Sequence, residues 1–154
     1  MNGNRSADWL ARALLVAMFA AAAWTWPSAP AQIPIHWNFA GQINGYGSKF
    51  SGLLLVPIIA LASYSVIGLT AVMRPEKFDG PARAALSWFR LMSVLVMAGA
   101  FGVIVADARG ANANMNQVIF PLLALMLIAI ANLVLQLNRV KKGNTTPPCG
   151  GVLE

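Results

Sequence analysis

Four long runs of apolar residues, separated by polar segments, dominate the pattern of the sequence. They cover residues 9–26, 52–73, 84–106 and 118–137, and each contains about 18–23 residues. A helix rises about 1.5 Å per residue and the hydrocarbon core of a bilayer is about 30 Å thick, so each run can cross a membrane once. Isolated strands would leave backbone groups unpaired in lipid. The pattern therefore predicts an all-α polytopic membrane protein, a four-helix transmembrane bundle.

Composition supports a membrane environment. The chain is 58% apolar and 10% charged, whereas soluble domains are about 45–50% apolar and about 25% charged. The net charge of +6 would also suit a nucleic-acid-binding protein, but such proteins cluster Lys and Arg on one face. Here most basic residues lie between the apolar runs or beyond them, so we predict membrane lipid and no nucleic acid among the partners.

The whole chain, 1–154, is predicted to form a single membrane domain with a flexible tail over residues 138–154. The first apolar run has a competing interpretation as a signal peptide, because Arg5 and Arg12 flank its start and Ala29-Pro30-Ala31 resembles a cleavage site. We favour a retained membrane span, because the chain keeps this segment.

Basic residues are distributed unequally between the connections. Two of the eleven, Lys49 and Arg109, fall in the first and third connections. The other nine fall at the termini and around the second connection: Arg5, Arg12, Arg74, Lys77, Arg83, Arg90, Arg139, Lys141 and Lys142. Since Lys and Arg are enriched in cytoplasmic loops, we predict a multi-pass protein of a bacterial cytoplasmic (inner) membrane, with the N-terminus and the C-terminus cytoplasmic.

The first outward connection, residues 27–51, is long for a loop and rich in aromatic and polar residues. Alternating apolar residues over Ile33–Phe39 predict a short extended segment. The pairs Ala40-Gly41 and Asn44-Gly45 predict turns. We also expect Gly45 and Gly47 to adopt backbone angles that other residues avoid. The connection is therefore predicted to fold over the outer end of the bundle.

This connection also carries an ordered motif. It consists of Ile33–Asn38, then Gly41, then Gly45–Lys49, followed by a Leu-rich helix that contains Pro57. Over residues 10–75 the order resembles a bacterial domain of unknown function that forms the N-terminal part of SdpI-type membrane proteins. The resemblance implies immunity or sensing. The best-known member of that family confers immunity to a secreted peptide toxin and signals the toxin's presence to a cytoplasmic repressor that it holds at the membrane.

Two departures distinguish the chain from longer members of that family. Asn44 stands where many members have Asp, which removes a charge from the outer side. Longer members carry a further membrane region at the C-terminus, where this chain has a short Thr/Pro/Gly tail. That tail contains Cys149, which cannot form an internal disulfide because it is the chain's one cysteine.

Catalysis has weak support in the sequence, and we predict that the protein is not an enzyme. Acid–base chemistry needs titratable groups within reach of each other, and the outward candidates are His36, Tyr46 and Asp107. No carboxylate falls inside a predicted span, and we expect Arg90 to extend to the inner surface. A lone histidine could ligate haem, but we predict no cofactor and no metal.

Two functions from different classes remain. In the first, an immunity or sensing protein recognises a peptide or envelope ligand through its outer loop. In the second, a structural or accessory subunit of a larger membrane protein complex uses the same loop as a plug. For the first function, the residues predicted to bind the ligand are His36, Trp37, Asn38, Gly41, Asn44, Gly45, Tyr46 and Lys49.

Overall fold

The computed structural model describes residues 5–78, 80–111 and 113–143. Four of its helices are long and apolar enough to cross a membrane, which confirms the predicted all-α, four-span architecture. They are α1 (Arg5–Thr25), α3 (Leu55–Met73), α4 (Gly80–Ala108) and α5 (Met115–Gly143). Strands β1 (Ile33–Trp37) and β2 (Ile43–Gly47) and a short helix α2 (Lys49–Leu53) lie between α1 and α3, and a 3-10 turn (Pro75–Lys77) precedes α4.

The helices extend past the apolar runs. Helix α1 begins at Arg5 and places Asp8 in its first turn, and α4 extends to Ala108 and includes Asp107, so both carboxylates lie within helices just outside the predicted apolar runs. Helix α5 continues to Gly143, so residues 138–143 are helical and are not part of a tail. The rest of the predicted tail, including Cys149, lies outside the described residues. Hydropathy misses these turns because a helix continues its hydrogen bonding where polar interfacial residues replace apolar ones.

The predicted second span is divided into two helices. Helix α2 begins at Lys49, its first turn is capped by Ser48, and it ends at Leu53; Leu54 separates it from α3, which begins at Leu55. Pro57 therefore lies in the first turn of α3, where its missing N–H costs little. Pro121 lies inside α5, and the helix continues through it.

Helix α4 is the centre of the bundle, because α1, α3 and α5 all pack against it. Helix α1 presents a buried face of mostly small residues at helical spacing: Ala7, Ala11, Leu15, Met18, Ala22 and Thr25. Small side chains let helices approach closely in a membrane. On α4, a Cβ at Gly99 would collide with the Leu122 side chain of α5, whereas Gly102 has nothing within 4 Å. Gly99 is therefore the packing glycine of this pair.

Helix α5 is the least enclosed of the four. Among its described side chains only Ala129 is buried. Large apolar residues such as Leu127 and Ile128 are 66% and 65% exposed. Most of this helix therefore faces the surroundings of the bundle.

Candidate ligand-binding groove

The connection between α1 and α2 folds into an antiparallel hairpin of β1 and β2 at one end of the bundle. Its inner residue, Ile33, is 0% exposed and packs against Gly52 of α2, where a Cβ would lie 2.7 Å from Ile33 Cγ2. The pairing is irregular between Pro34 and Trp37. A bulge of this kind re-aims side chains, so strict alternation over Ile33–Phe39 does not hold. The hairpin is thereby fixed to the helices at its base.

Asn38 organises the turn of the hairpin. Its Oδ1 accepts hydrogen bonds from the backbone N–H groups of Ala40 (3.0 Å) and Gln42 (2.9 Å), and its Nδ2 donates to Gln42 Oε1 (3.1 Å). Gly41 supplies the positive φ of +76° that closes the turn. The predicted turn at Ala40-Gly41 is thus confirmed, and the Asn38 side chain is committed to the backbone.

The tip of the hairpin rests on the connection between α4 and α5. Asn116 Nδ2 donates to the carbonyl oxygen of Phe39 at 2.8 Å. A Cβ at Gly41 would lie 3.0 Å from Asn114 Oδ1. A glycine at position 41 therefore allows both the positive φ of the turn and the close approach to Asn114. These contacts hold the tip of the hairpin over the bundle.

The predicted turn at Asn44-Gly45 is wrong, because both residues lie within β2. Gly45 is paired with His36, and a Cβ there would lie 2.9 Å from His36 Cβ. The positive φ angles among the described glycines occur at Gly41, Gly80 and Gly110, so Gly45 and Gly47 do not need unusual backbone angles. What they provide is space for the opposite strand.

Two further predicted site residues make local contacts. His36 Nδ1 and Asn44 Oδ1 are 2.5 Å apart, a hydrogen bond that requires a proton on Nδ1. Lys49 Nζ donates to the carbonyl oxygen of Trp26 at 3.1 Å, just beyond the end of α1. A cation at this position satisfies a carbonyl and complements the helix dipole. Lys49 thus connects α2 to α1.

An open groove of about 600 Å³ runs between the hairpin and the neighbouring ends of α3, α4 and α5. The hairpin contributes Ile35, His36, Trp37, Asn38, Phe39 and Asn44; the helices contribute Val56, Ala100, Ile104, Met115, Asn116, Ile119 and Phe120. The structure therefore gathers four predicted site residues, His36, Trp37, Asn38 and Asn44, in one groove. Gly41, Gly45, Tyr46 and Lys49 do not line it.

Trp37 carries an unused donor in this groove. Its Nε1 is buried and has no hydrogen-bond partner among the residues that the structure describes. Buried polar atoms are usually paired, so an unpaired one calls for an explanation. Phe39, in the turn that follows β1, is 97% exposed. The groove thus combines apolar walls with amide groups, which suits an amphipathic ligand.

A second cluster, which sequence reasoning missed, lies at the opposite end of the bundle. Arg90 Nη1 is 3.1 Å from Asp8 Oδ1, and its guanidinium lies 3.8 Å above the Tyr64 ring. Arg12 Nε donates to the Tyr64 hydroxyl at 3.1 Å. The Arg90 side chain is 16% exposed and is held by these contacts. The sequence feature that could have indicated this cluster is Asp8, which lies where α1 continues beyond its apolar run.

Fold and groove together define a multi-pass helical membrane protein with a β-hairpin at one end of the bundle. Residues 13–61 match the model of a domain of unknown function, DUF1648. The match covers most of α1, the hairpin, α2 and the first part of α3, which is less than half of the chain. No curated protein and no solved structure matches significantly. The comparison supports the motif region and assigns no activity.

Within residues 5–78, 80–111 and 113–143, no three His, Cys, Asp or Glu side chains form a group that could hold a metal ion.

Proposed function

We propose that the chain is an SdpI-like immunity or sensing protein of the bacterial inner membrane, which recognises a peptide or another envelope ligand in the groove under the hairpin. The observation that carries the proposal is the groove itself. It combines mainly apolar walls, to which Trp37 contributes, with the amide of Asn116. A ligand with an apolar body and a carbonyl acceptor would complement these surfaces.

Orientation is part of the proposal. The basic residues favour a topology in which both termini face the cytoplasm and the hairpin faces outward. Trypsin tests it directly, because Lys49 and Arg109 are the basic residues of the outward connections. In spheroplasts, we expect cleavage after Lys49 or Arg109 and protection of Lys141. The reverse pattern would overturn the orientation.

The proposed role is binding without catalysis. Two of the three outward candidates for acid–base chemistry, His36 and Asp107, bond a neighbouring amide or the local backbone. His36 is bonded to Asn44, and Asp107 Oδ1 accepts from the backbone N–H of Ala113. Catalytic groups need to be available to a substrate proton, so these contacts favour structural roles.

Photo-crosslinking tests the groove. Phe120 lines the groove, and Leu127 lies seven residues further along the same exposed helix but outside it. The photoreactive amino acid benzoylphenylalanine replaces each in turn in protein reconstituted into nanodiscs, and a panel of biotinylated amphipathic peptides is the probe. We expect labelling at position 120 that excess unlabelled peptide abolishes, with little labelling at 127.

Filling the groove provides the second arm of this experiment. Ala100→Trp adds a large side chain to the groove wall, and we expect it to reduce labelling at position 120 at least tenfold. Equal labelling at positions 120 and 127, or labelling that Ala100→Trp does not change, would refute peptide binding in the groove.

An accessory-subunit function is the alternative, and the exposure of α5 favours it. A helix with one buried side chain leaves a long apolar face for a partner helix or lipid. Purification from native membranes in mild detergent, with His36→Ala and Trp37→Ala beside the wild type, separates the two functions. A stoichiometric membrane partner retained by both variants would support the accessory function.

A further inference from the structure

A cavity of about 370 Å³ lies at the end of the bundle opposite the hairpin, between α3 and α4. We call this end the basic end, because Arg5, Arg12, Arg83 and Arg90 lie there on α1 and α4. The cavity lining comprises Asp8, Gly68, Ala71, Val72, Pro75, Arg83, Leu86, Ser87 and Arg90. It contains a polar wall from α4 and an apolar wall from α3.

The polar wall is a single stripe of α4. Arg83, Ser87 and Arg90 are spaced by four and three residues, so they share one helix face. Arg83 Nε donates to the carbonyl oxygen of Phe78 at 3.0 Å. This bond positions the guanidinium, and no contact of its terminal nitrogens with the described residues is seen.

The carboxylate in the cavity is already neutralised. Asp8 Oδ1 is 3.1 Å from Arg90 Nη1, and Asp8 Oδ2 accepts from Ser87 Oγ at 3.3 Å. Arg90 fits because Gly68 has no side chain, since a Cβ there would lie 2.8 Å from Arg90 Nη2. With one Asp against two Arg, the cavity carries a net positive charge that an anion would balance.

The apolar wall indicates what kind of anion. Val72 of α3 is 74% exposed at the edge of the cavity, Ala71 lies beside it, and the buried Leu86 of α4 adds to the apolar surface. A free anion would gain nothing from this wall, whereas acyl chains would lie along it. Liquid water occupies about 30 Å³ per molecule, so a cavity of about 370 Å³ has room for a phosphate group and several waters.

We infer that this cavity binds the headgroup of an anionic phospholipid, with a phosphate oxygen on the terminal nitrogens of Arg83 and the acyl chains along α3. Arginine forks match phosphate geometry. Basic pockets between helices at the cytoplasmic side of a membrane are suited to anionic headgroups. The proposal does not depend on any ligand in the hairpin groove.

Native mass spectrometry of the full chain in mild detergent tests the inference. Phosphatidylglycerol and phosphatidylcholine are the two probes. We expect one phosphatidylglycerol to be retained at concentrations where phosphatidylcholine is lost. Arg83→Gln is expected to weaken phosphatidylglycerol binding at least tenfold, whereas Arg139→Gln, an exposed arginine on α5 outside the cavity, leaves it within twofold.

A second variant covers the case in which Arg83→Gln fails to fold. Val72→Glu removes no hydrogen bond and adds a negative charge at the edge of the cavity, so it is expected to weaken phosphatidylglycerol binding to a similar degree. Equal retention of the two lipids, or equal loss in Arg139→Gln and Arg83→Gln, would overturn the inference. If inorganic phosphate competes fully with phosphatidylglycerol at equal concentration, the site takes free phosphate and the lipid assignment is wrong.

Discussion

The two ends of the bundle are held together by different interactions. At the hairpin end, charged side chains contact neutral partners: Lys49 bonds the carbonyl oxygen of Trp26, and the Arg109 guanidinium lies 4.2 Å above the Trp24 ring. At the basic end, Asp8 and Arg90 form an ion pair between α1 and α4, and Arg90 also contacts Tyr64 of α3. The hairpin end is therefore held by contacts between cations and neutral groups, whereas the basic end is held by an ion pair.

This difference sets the expected size of each perturbation. A neutral hydrogen bond contributes about 0.5–1.5 kcal/mol net. Removal of one partner from a buried ion pair costs about 3–5 kcal/mol, because the remaining charge is left without compensation. Substitutions at the basic end should therefore destabilise the protein most, and those at the hairpin should act locally.

Asp8→Leu is expected to have the largest effect. It leaves Arg90 without its anion in a site where the arginine side chain is 16% exposed. Because the pair is partly exposed, we expect a loss near the lower end of the range for buried pairs, about 3 kcal/mol. Equilibrium unfolding in mixed micelles, followed by circular dichroism, measures it.

The double variant Asp8→Leu with Arg90→Met is the control for that measurement. Replacing both charges with apolar groups removes the uncompensated cation, so most of the lost stability should return. If the double variant is as unstable as Asp8→Leu, packing rather than charge holds this end, and the comparison between the two ends fails.

Gly41→Ala tests the hairpin tip and has a matched control in Gly110→Ala. Both glycines have positive φ, +76° and +85°, so both variants incur the same kind of backbone strain. Only at Gly41 would the new Cβ meet another side chain, 3.0 Å from Asn114 Oδ1. We expect losses of about 1 kcal/mol for Gly110→Ala and about 2 kcal/mol for Gly41→Ala.

Tryptic cleavage after Lys49 reports on the tip in the same variants. Gly41→Ala should accelerate it more than Gly110→Ala, because only the former loosens the contact with the α4–α5 connection. Equal acceleration would show that backbone strain alone matters, and that the tip is not held by its contact with Asn114.

Gly45→Val should disturb the hairpin through side-chain collision. A Cβ at Gly45 would lie 2.9 Å from His36 Cβ, and overpacking of this kind costs about 1–3 kcal/mol. We expect Gly45→Val to lower the free energy of unfolding by about 1.5 kcal/mol, in the lower part of that range, because the hairpin is exposed on one side. Trypsin digestion measures the effect, and the single variant Gly45→Val should be cleaved faster than the wild type. Adding His36→Gly should restore resistance to trypsin, whereas adding His36→Ala, which keeps the Cβ, should not. Rescue by His36→Ala would contradict the proposed collision.

The fold could be predicted from the sequence because transmembrane helices depend on local composition. Length and hydropathy alone locate the four spans. What composition could not show was the end of each helix, where residues such as Asp8 and Arg139 continue the backbone pattern in polar surroundings. The boundaries depend on hydrogen bonding rather than on apolarity.

The groove was predictable only in part. The motif identified the hairpin, but which of its side chains line the groove depends on the bulge between Pro34 and Trp37 and on contacts with α4 and α5. Helix residues such as Ala100 and Ile119 carry no chemical signal in the sequence. Long-range placement of this kind also explains why the ion pair of Asp8 and Arg90, 82 residues apart, was missed.

Trp37→Phe is expected to have the smallest effect on stability and separates folding from binding. The substitution removes Nε1, which has no partner among the described residues, and keeps most of the aromatic surface. Stability should change by less than about 0.5 kcal/mol. If the free indole N–H donates to the ligand, the same variant should weaken peptide crosslinking at position 120 about tenfold, since a ligand acceptor would then be buried unpaired. A large loss of stability with unchanged crosslinking would show that Trp37 supports the hairpin and that the ligand uses other groups.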